Sequence, residues 1–294
     1  MTPFDYDYLR GRLKARSGLV LSADKHYLVE SRLLPIARKA GLNGLGELVA
    51  LLRTDRDEKL MTAVVEAMTT NETFFFRDKV PFEHFRSTIM PMLLASRRAS
   101  RRIRIWCAAA STGQEPYSLA MCLKAMGREI AGWHIEILAT DISNEVLEKA
   151  ENGLYSQFEV QRGLPIDLLV KYFTRCGELW QLAPELRAMI TYRQFNLLDD
   201  FSQFGIFDAI YCRNVLIYFD PETKIDVLDR LARNCAVDGF LVLGAAETVI
   251  GLTDSFKSVA ERRGLYAPNS AAPEPALAGI SRLPPRPVAV NGGR

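Results

Sequence analysis

The sequence predicts an α/β protein: a mostly parallel, doubly wound sheet, with a small antiparallel β-subdomain inserted into it and an all-α domain ahead of it. Three observations carry this reading. From Arg102 onward, short apolar strands alternate with helices, the pattern of a parallel sheet covered on both faces. Over roughly the first 90 residues only helical periodicity appears. Asp141 lies 55 positions before Asn196, whereas a βαβ unit takes about 30 residues, so a segment is inserted between them.

Each element has a local reason. Phe4 to Arg16 places Tyr8, Leu9 and Leu13 at helical spacing and stops just before Gly18. Ser22 is a candidate N-cap for a helix through Arg38 that carries Leu28, Leu33, Leu34 and Ile36, with Pro35 expected to bend or divide it. Leu45–Leu52 and Asp57–Met68 repeat the amphipathic pattern. These segments make a helical domain over 1–70, followed by a linker and helix over 71–100. The strands are Ile103–Ala108, Ile135–Thr140, Phe207–Cys212 and Gly239–Gly244, with helices at Pro116–Met126, Ser143–Glu151 and Pro221–Asn234. Leu179–Leu182, a turn at Ala183-Pro-Glu and Met189–Phe195 read as an inserted hairpin, about 172–195, and Phe256–Tyr266 as an antiparallel edge strand. The sheet domain then spans 101–267. From 268 to 294, a Pro/Ala-rich stretch with six of the 14 prolines predicts a disordered tail.

Composition excludes several classes. At 48% hydrophobic residues the chain can bury a sizeable core. No apolar run approaches the ~18–20 residues of a membrane span, and no charged segment leads into an apolar one, so a soluble cytoplasmic protein is expected. The five scattered cysteines, Cys107, Cys122, Cys176, Cys212 and Cys235, read as small buried apolar residues in a reducing compartment. Three distant histidines, His26, His84 and His134, support neither a zinc site nor a Ser-His-Asp triad, and no metal is expected. The net charge of +2 conceals an asymmetry: residues 1–104 hold 19 basic and 12 acidic side chains, net +7, and the remainder 18 and 23, net −5. That split points to a charged partner.

Open α/β sheets bind ligands outside the carboxyl ends of their strands. The loop after the first strand, Ala108-Ala-Ala-Ser-Thr-Gly-Gln-Glu115, contains neither GxGxxG nor GxxxxGK[ST], which removes the best support for NAD or ATP. Its small residues still admit close backbone approach, as a nucleoside cofactor without a pyrophosphate would require; S-adenosylmethionine is one. Pro116 fits the first helical position, and Glu115 at that junction can meet a cationic amine. Asp141, ending the second strand, can accept from both ribose hydroxyls or cap the helix that follows.

Thr70-Asn-Glu-Thr-Phe-Phe-Phe-Arg77, Ala108-Ala-Ala-Ser-Thr-Gly-Gln-Glu-Pro-Tyr-Ser118, Ala139-Thr-Asp-Ile142 and Cys212-Arg-Asn-Val-Leu-Ile-Tyr-Phe219 follow one another in order. Together they resemble the CheR family of chemoreceptor glutamate methyltransferases, from about residue 4 to 267. The resemblance implies an S-adenosylmethionine-dependent methyltransferase domain with a helical N-terminal domain. It implies methyl esterification of glutamates on the cytoplasmic helical region of chemoreceptors, in chemotaxis adaptation, by a monomer that leaves S-adenosylhomocysteine. It also implies roles: Asn71, Thr73 and Arg77 at the cofactor, Glu115 toward its methionine moiety and Asp141 toward the ribose. Asn196 and Leu197 would meet the adenine, Arg213 and Asn214 would complete the site, and Arg77 and Tyr218 would serve methyl transfer itself. A glutamate nucleophile is ionised at neutral pH, so no general base is needed and scarce histidine fits. At least two of Phe74, Phe75 and Phe76 read as core at the domain junction.

Basic residues address the partner. Lys25, Arg32, Arg38 and Lys39 form a candidate face for an acidic receptor segment, because the family uses its N-terminal domain for substrate contact. Residues 97–104, Arg-Arg-Ala-Ser-Arg-Arg-Ile-Arg, are a second, weaker candidate for that acidic partner, a solvated surface, or part of the interface between domains. A nucleic-acid methyltransferase is disfavoured, since Cys-Arg-Asn-Val stands where an Asn/Asp-Pro-Pro-Tyr motif is expected. Family members that tether to a receptor's C-terminal pentapeptide carry a glycine-bearing insertion in the β-subdomain turn; the short stretch Tyr172–Trp180 predicts that the tether is not used. The competing reading is a methyltransferase-fold module acting on another signalling protein or serving as a cofactor sensor.

Overall fold

The computed structural model describes residues 1–54 and 57–269, so the tail expected over 268–294 lies, but for its first two residues, outside the described residues. Four helices open the chain: α1 (Pro3–Ser17), α2 (His26–Lys39), α3 (Leu45–Arg53) and α4 (Glu58–Met68). Thr2 and Asp5 form a capping box at the start of α1, and Gly18 closes it at φ +74°, where a side chain would be strained. Their apolar faces share one core. Leu9, Leu13, Val29, Leu33, Leu48 and Val64 are fully buried there, each contributing about 1.5–3 kcal/mol relative to exposure. Ser22 does not cap α2: its hydroxyl bonds Asp24, its carbonyl accepts from Lys25 N–H, and the helix starts at His26. The helix then runs through Pro35 without a break.

The linker leads into α5 (Val80–His84), a π-helical turn (Phe85–Ile89) and α6 (Met90–Ser96). Then follow β1 (Arg102–Cys107), α7 (Gln114–Met126), β2 (His134–Asp141), α8 (Asn144–Asn152), β3 (Leu154–Ser156), α9 (Gln157–Gln161) and α10 (Ile166–Tyr172). The chain continues through β4 (Phe173–Cys176), β5 (Leu179–Leu182), α11 (Pro184–Arg187), β6 (Ile190–Gln194), β7 (Phe207–Cys212), α12 (Pro221–Arg233), β8 (Cys235–Leu243), β9 (Phe256–Ser258) and β10 (Leu265–Pro268). Seven strands form one sheet in the order β6-β2-β1-β7-β8-β10-β9, parallel from β6 to β8. Strand alternation divides its core. Ile103, Ile105, Ala209, Tyr211, Phe240 and Val242 pack on one face; Trp106, Phe207, Ile210, Leu241 and Leu243 pack on the other.

Four expectations change. The insert is not 172–195: its sheet is β3-β5-β4, beginning at Leu154 and ending at Leu182, while β6 leaves it to pair in parallel with β2. A short strand after a tight connection looks like a hairpin arm, and only the four-residue α11 turns it toward the large sheet. The terminal segment is two strands, β10 antiparallel to β8 and β9 outside it. α7 begins at Gln114, which puts Pro116 at its third position. Cys176 is exposed on β4, whereas the other four cysteines are buried.

Of the five arginines of 97–104, Arg98, Arg101 and Arg102 are exposed, and Arg97 and Arg104 are structural. Arg97 pairs with Asp208 and Asp238, and Arg104 pairs with Glu136 and donates to the Phe204 and Ile206 carbonyls. They therefore sit at the amino ends of the strands, opposite the ligand-binding edge, and join parts of the sheet domain to one another.

Candidate active site

In this sheet the chain runs outward from β1 through β2 to β6 and returns to lay β7 on the other side of β1, making a switch point at β1. The loops after β1, β2, β6 and β7 open there into one cavity. Asn71, Thr73, Arg77, Glu115, Asp141, Asn196, Leu197, Arg213, Asn214 and Tyr218 all line it. Ser17, Leu19, Thr69 and Thr70 line it as well, so the helical domain closes over the cavity.

At its acidic end, Asp141 is buried, and its two oxygens accept from Ser111 N–H at 2.8 Å and Ser143 N–H at 3.1 Å. Burial pushes its carboxyl up, against those main-chain donors. Asp141 is not the N-cap weighed from sequence: α8 starts at Asn144 with Ser143 as its N-cap, and Asp141 bonds the Ser143 N–H ahead of it while lining the cavity. Ser111, at φ +48°, also donates its hydroxyl to the Asn71 carbonyl, fastening the linker to the β1 loop.

A second buried acid, Glu115, pairs with Arg213 at 2.6 Å. The other amino group of Arg213 reaches Asp78 at 2.7 Å and the Arg77 carbonyl at 2.8 Å. Burial pushes the Glu115 carboxyl up; burial opposes the Arg213 charge too, yet Glu115 and Asp78 hold the guanidinium protonated above its ordinary range. Arg213 thus clamps a turn whose residues Phe76, Asp78 and Lys79 lie at φ +52°, +69° and +53°, a conformation that costs about 1–3 kcal/mol per non-glycine residue. Arg77 rides on this turn, its guanidinium donating to the Glu72 carbonyl and lying 5.7 Å from the Phe74 ring centre. Phe75 is core, edge-on to Tyr155 and Phe173, and Phe76 packs on Phe82; Phe74 lies between Arg77 and Arg162.

The side chain of Asn196 is committed elsewhere than expected: its amide donates to the Arg16 carbonyl and its oxygen accepts from Leu198 N–H. It secures α1 above the cavity, whose lining it shares with its neighbour Leu197. Tyr218 ends a 3₁₀ turn (Leu216–Tyr218) after β7, half-buried, and is not on a strand. Its carbonyl accepts from Val20 N–H at 2.9 Å, a second seam with the helical domain.

The chain matches the CheR methyltransferase all-alpha domain over residues 5–69 and the CheR methyltransferase SAM binding domain over residues 71–265. The chain belongs to the CheR methyltransferase family. It is 41% identical over 261 residues to chemotaxis protein methyltransferase 1 of Pseudomonas aeruginosa, covering 87% of this chain and 94% of that one. Against chemotaxis protein methyltransferase 1 of Vibrio cholerae it is 39% identical, covering 84% and 90%. Against the chemotaxis protein methyltransferase of Salmonella typhimurium it is 38% identical, covering 82% of each chain.

The CheR domains explain the layout: an α-domain as roof, a sheet domain as floor. Two buried carboxylates facing a cavity with apolar walls at Ala108, Ile142 and Phe195 suit a cationic nucleoside such as S-adenosylmethionine. Of the expected partner-facing residues, Arg38 and Lys39 are exposed in the last turn of α2, and Lys25 is half-buried just ahead of it. Arg32 is not part of that face. It donates to the Met68 and Thr69 carbonyls and to the Thr70 hydroxyl, holding the linker down. Among the described residues no helix is long and apolar enough to cross a membrane, and no group of three or more His, Cys, Asp or Glu side chains is arranged to hold a metal ion. Asp78 and Glu247 escaped the sequence reading. A lone acid just past β8 was the available sign of the latter.

Proposed function

We propose that this protein esterifies glutamate side chains on the cytoplasmic helical region of chemoreceptors, using S-adenosylmethionine, as part of chemotaxis adaptation. The observation that carries this reading is the single cavity in which two buried carboxylates, Glu115 and Asp141, face the same space as Arg77 and Tyr218. When bound, S-adenosylmethionine supplies a methyl group activated on a sulfonium. Glu115 would face its charged methionine end, Asp141 its ribose and Leu197 its adenine. Arg77 and Tyr218 orient the incoming carboxylate, Arg77 through charge-assisted hydrogen bonds. The substrate arrives as an anion, so no side chain has to remove a proton. Charge disappears as the ester forms, and the roof of α1 and the linker favours that step by excluding water. Arg77 must hold the anion lightly, since stabilising substrate as much as transition state would gain nothing in turnover.

The exposed Arg38 and Lys39, with the half-buried Lys25 ahead of them, steer the acidic receptor segment onto α2. The β4–β5 turn is only Gly177-Glu178, so docking rests on the helical domain and no pentapeptide tether is used. The protein acts as a monomer, in the cytoplasm with its substrate.

Incubation with receptor cytoplasmic domains and methyl-tritiated S-adenosylmethionine should give label that alkali releases as methanol. Alkali-stable label would mean N-methylation and defeat this reading. The buried acids add a pH signature. Both carboxyls lie above their ordinary values, so on lowering the pH from 7 they protonate before exposed carboxylates do. Calorimetric affinity for S-adenosylhomocysteine, whose amine and ribose they would hold, should therefore begin to fall on acidification before exposed carboxylates titrate, with a shallower fall in Asp141→Asn. An affinity that stays flat until the ordinary carboxylate range is reached would contradict the assignment.

A further inference from the structure

Outside the residues assigned so far, the most heavily bonded side chain in the described structure is the carboxylate of Glu247, in the loop after β8. It is 9% exposed and accepts five main-chain N–H groups. Oε2 takes Asn214 at 2.7 Å and Gly244 at 2.8 Å; Oε1 takes Val215 at 3.0 Å, Leu216 at 2.8 Å and Ile217 at 3.3 Å. Four of these donors are consecutive, and they form the segment between Arg213 and Tyr218. The fifth belongs to the loop of the next strand, so one carboxylate ties the loops after β7 and β8 together.

The local chain is shaped around this contact. Asn214 is held at φ +59°, a region that a non-glycine residue occupies only when its surroundings enforce it. A Cβ on Gly244 would lie 2.7 Å from Glu247 Oε2, 2.7 Å from Asn214 Nδ2 and 3.0 Å from Asn214 N, so glycine is required where the carboxylate passes. Burying a carboxylate is costly unless donors replace its water, and here five amides do so.

We infer that Glu247 is a positioning residue for methyl transfer: it fixes the Asn214–Ile217 backbone and thereby sets where the Tyr218 hydroxyl stands. The inference rests on the role proposed for Tyr218. Glu247 touches neither substrate nor cofactor in this scheme and acts through the loop. Glutamine is the informative replacement, because its shape is the same but its amide group would point N–H at N–H and release at least two of the five donors.

With receptor cytoplasmic domain as methyl acceptor, Glu247→Gln should lower kcat by roughly 10- to 100-fold while changing the Kd for S-adenosylhomocysteine by less than about threefold. Combined with Tyr218→Phe, the loss should not multiply: the double variant should be within about twofold of the slower single, because both changes remove one function. Hydrogen exchange should show amides 214–217 losing protection in Glu247→Gln, with β1 and β2 unchanged. Should that variant fail to fold, Glu247→Asp, which keeps the charge on a shorter reach, should show the same pattern at smaller size. Wild-type turnover in Glu247→Gln, multiplied losses in the double variant, or unchanged exchange at 214–217 would each overturn the inference. If the wild-type protein gives no alkali-labile label at all, the methylation reading fails, and the exchange measurement still decides whether Glu247 holds the loop.

Discussion

Arg213→Met should lower stability by about 3–5 kcal/mol, seen as a fall in Tm of roughly 6–20 °C. The guanidinium is 5% exposed and compensates two acids at once, Glu115 and Asp78, while donating to the Arg77 carbonyl. Methionine fills much of the same volume but leaves Glu115 buried with no positive partner, and that uncompensated charge is the main cost. Replacing both members of the pair should hurt less. Glu115→Gln combined with Arg213→Met should regain a substantial part of the lost Tm, because a neutral buried pair has no charge to desolvate. An Arg213→Met protein that melts with the wild type would show that the clamp is not what holds the Phe76–Lys79 turn.

Arg77→Ala should cost turnover about 10²- to 10³-fold, the scale on which an aimed donor in a water-poor site acts. Affinity for S-adenosylhomocysteine should fall by less than about tenfold, because Glu115, Asp141 and Leu197 remain. Arg77→Lys should recover little: an ammonium has neither the two-pronged donor set nor the flat face that lies toward Phe74. Steady-state kinetics beside calorimetry separate the two quantities. Equal losses in turnover and affinity would make Arg77 a cofactor-binding residue and nothing more.

Much of this arrangement was legible in the sequence because it depends on period and order. Alternating strands and helices fix a parallel sheet, parallel sheets bind at their carboxyl ends, and motifs at three strand ends and in the linker must then meet. The eight residues that the family resemblance named in those motifs line one cavity, together with Asn196 and Leu197 from the segment after β6. What escaped depends on side chains that bond across long sequence separations. Arg32 looks like surface charge on a helix, yet it spends its donors on carbonyls 36 and 37 positions away. Asn196 reads as a ligand group but bonds Arg16, 180 positions back. The β-subdomain boundary slipped because β5 and β6 are both short and separated only by α11, and local pattern does not tell which sheet each will join.

The roof of the cavity has a hydrophobic core of its own, separate from the two cores of the sheet domain. It meets the sheet domain along two lines: Asn196 to the Arg16 carbonyl, Val20 N–H to the Tyr218 carbonyl, Lys14 to Asp220 and Gly18 against the Phe219 ring on one side, and Asn144 N–H to Glu66 with Ile142 packed on the helical core on the other. One of these fastenings is the carbonyl of Tyr218 itself. The loop after β7 therefore both lines the cavity and carries its roof, so a change in that loop is felt in two places at once.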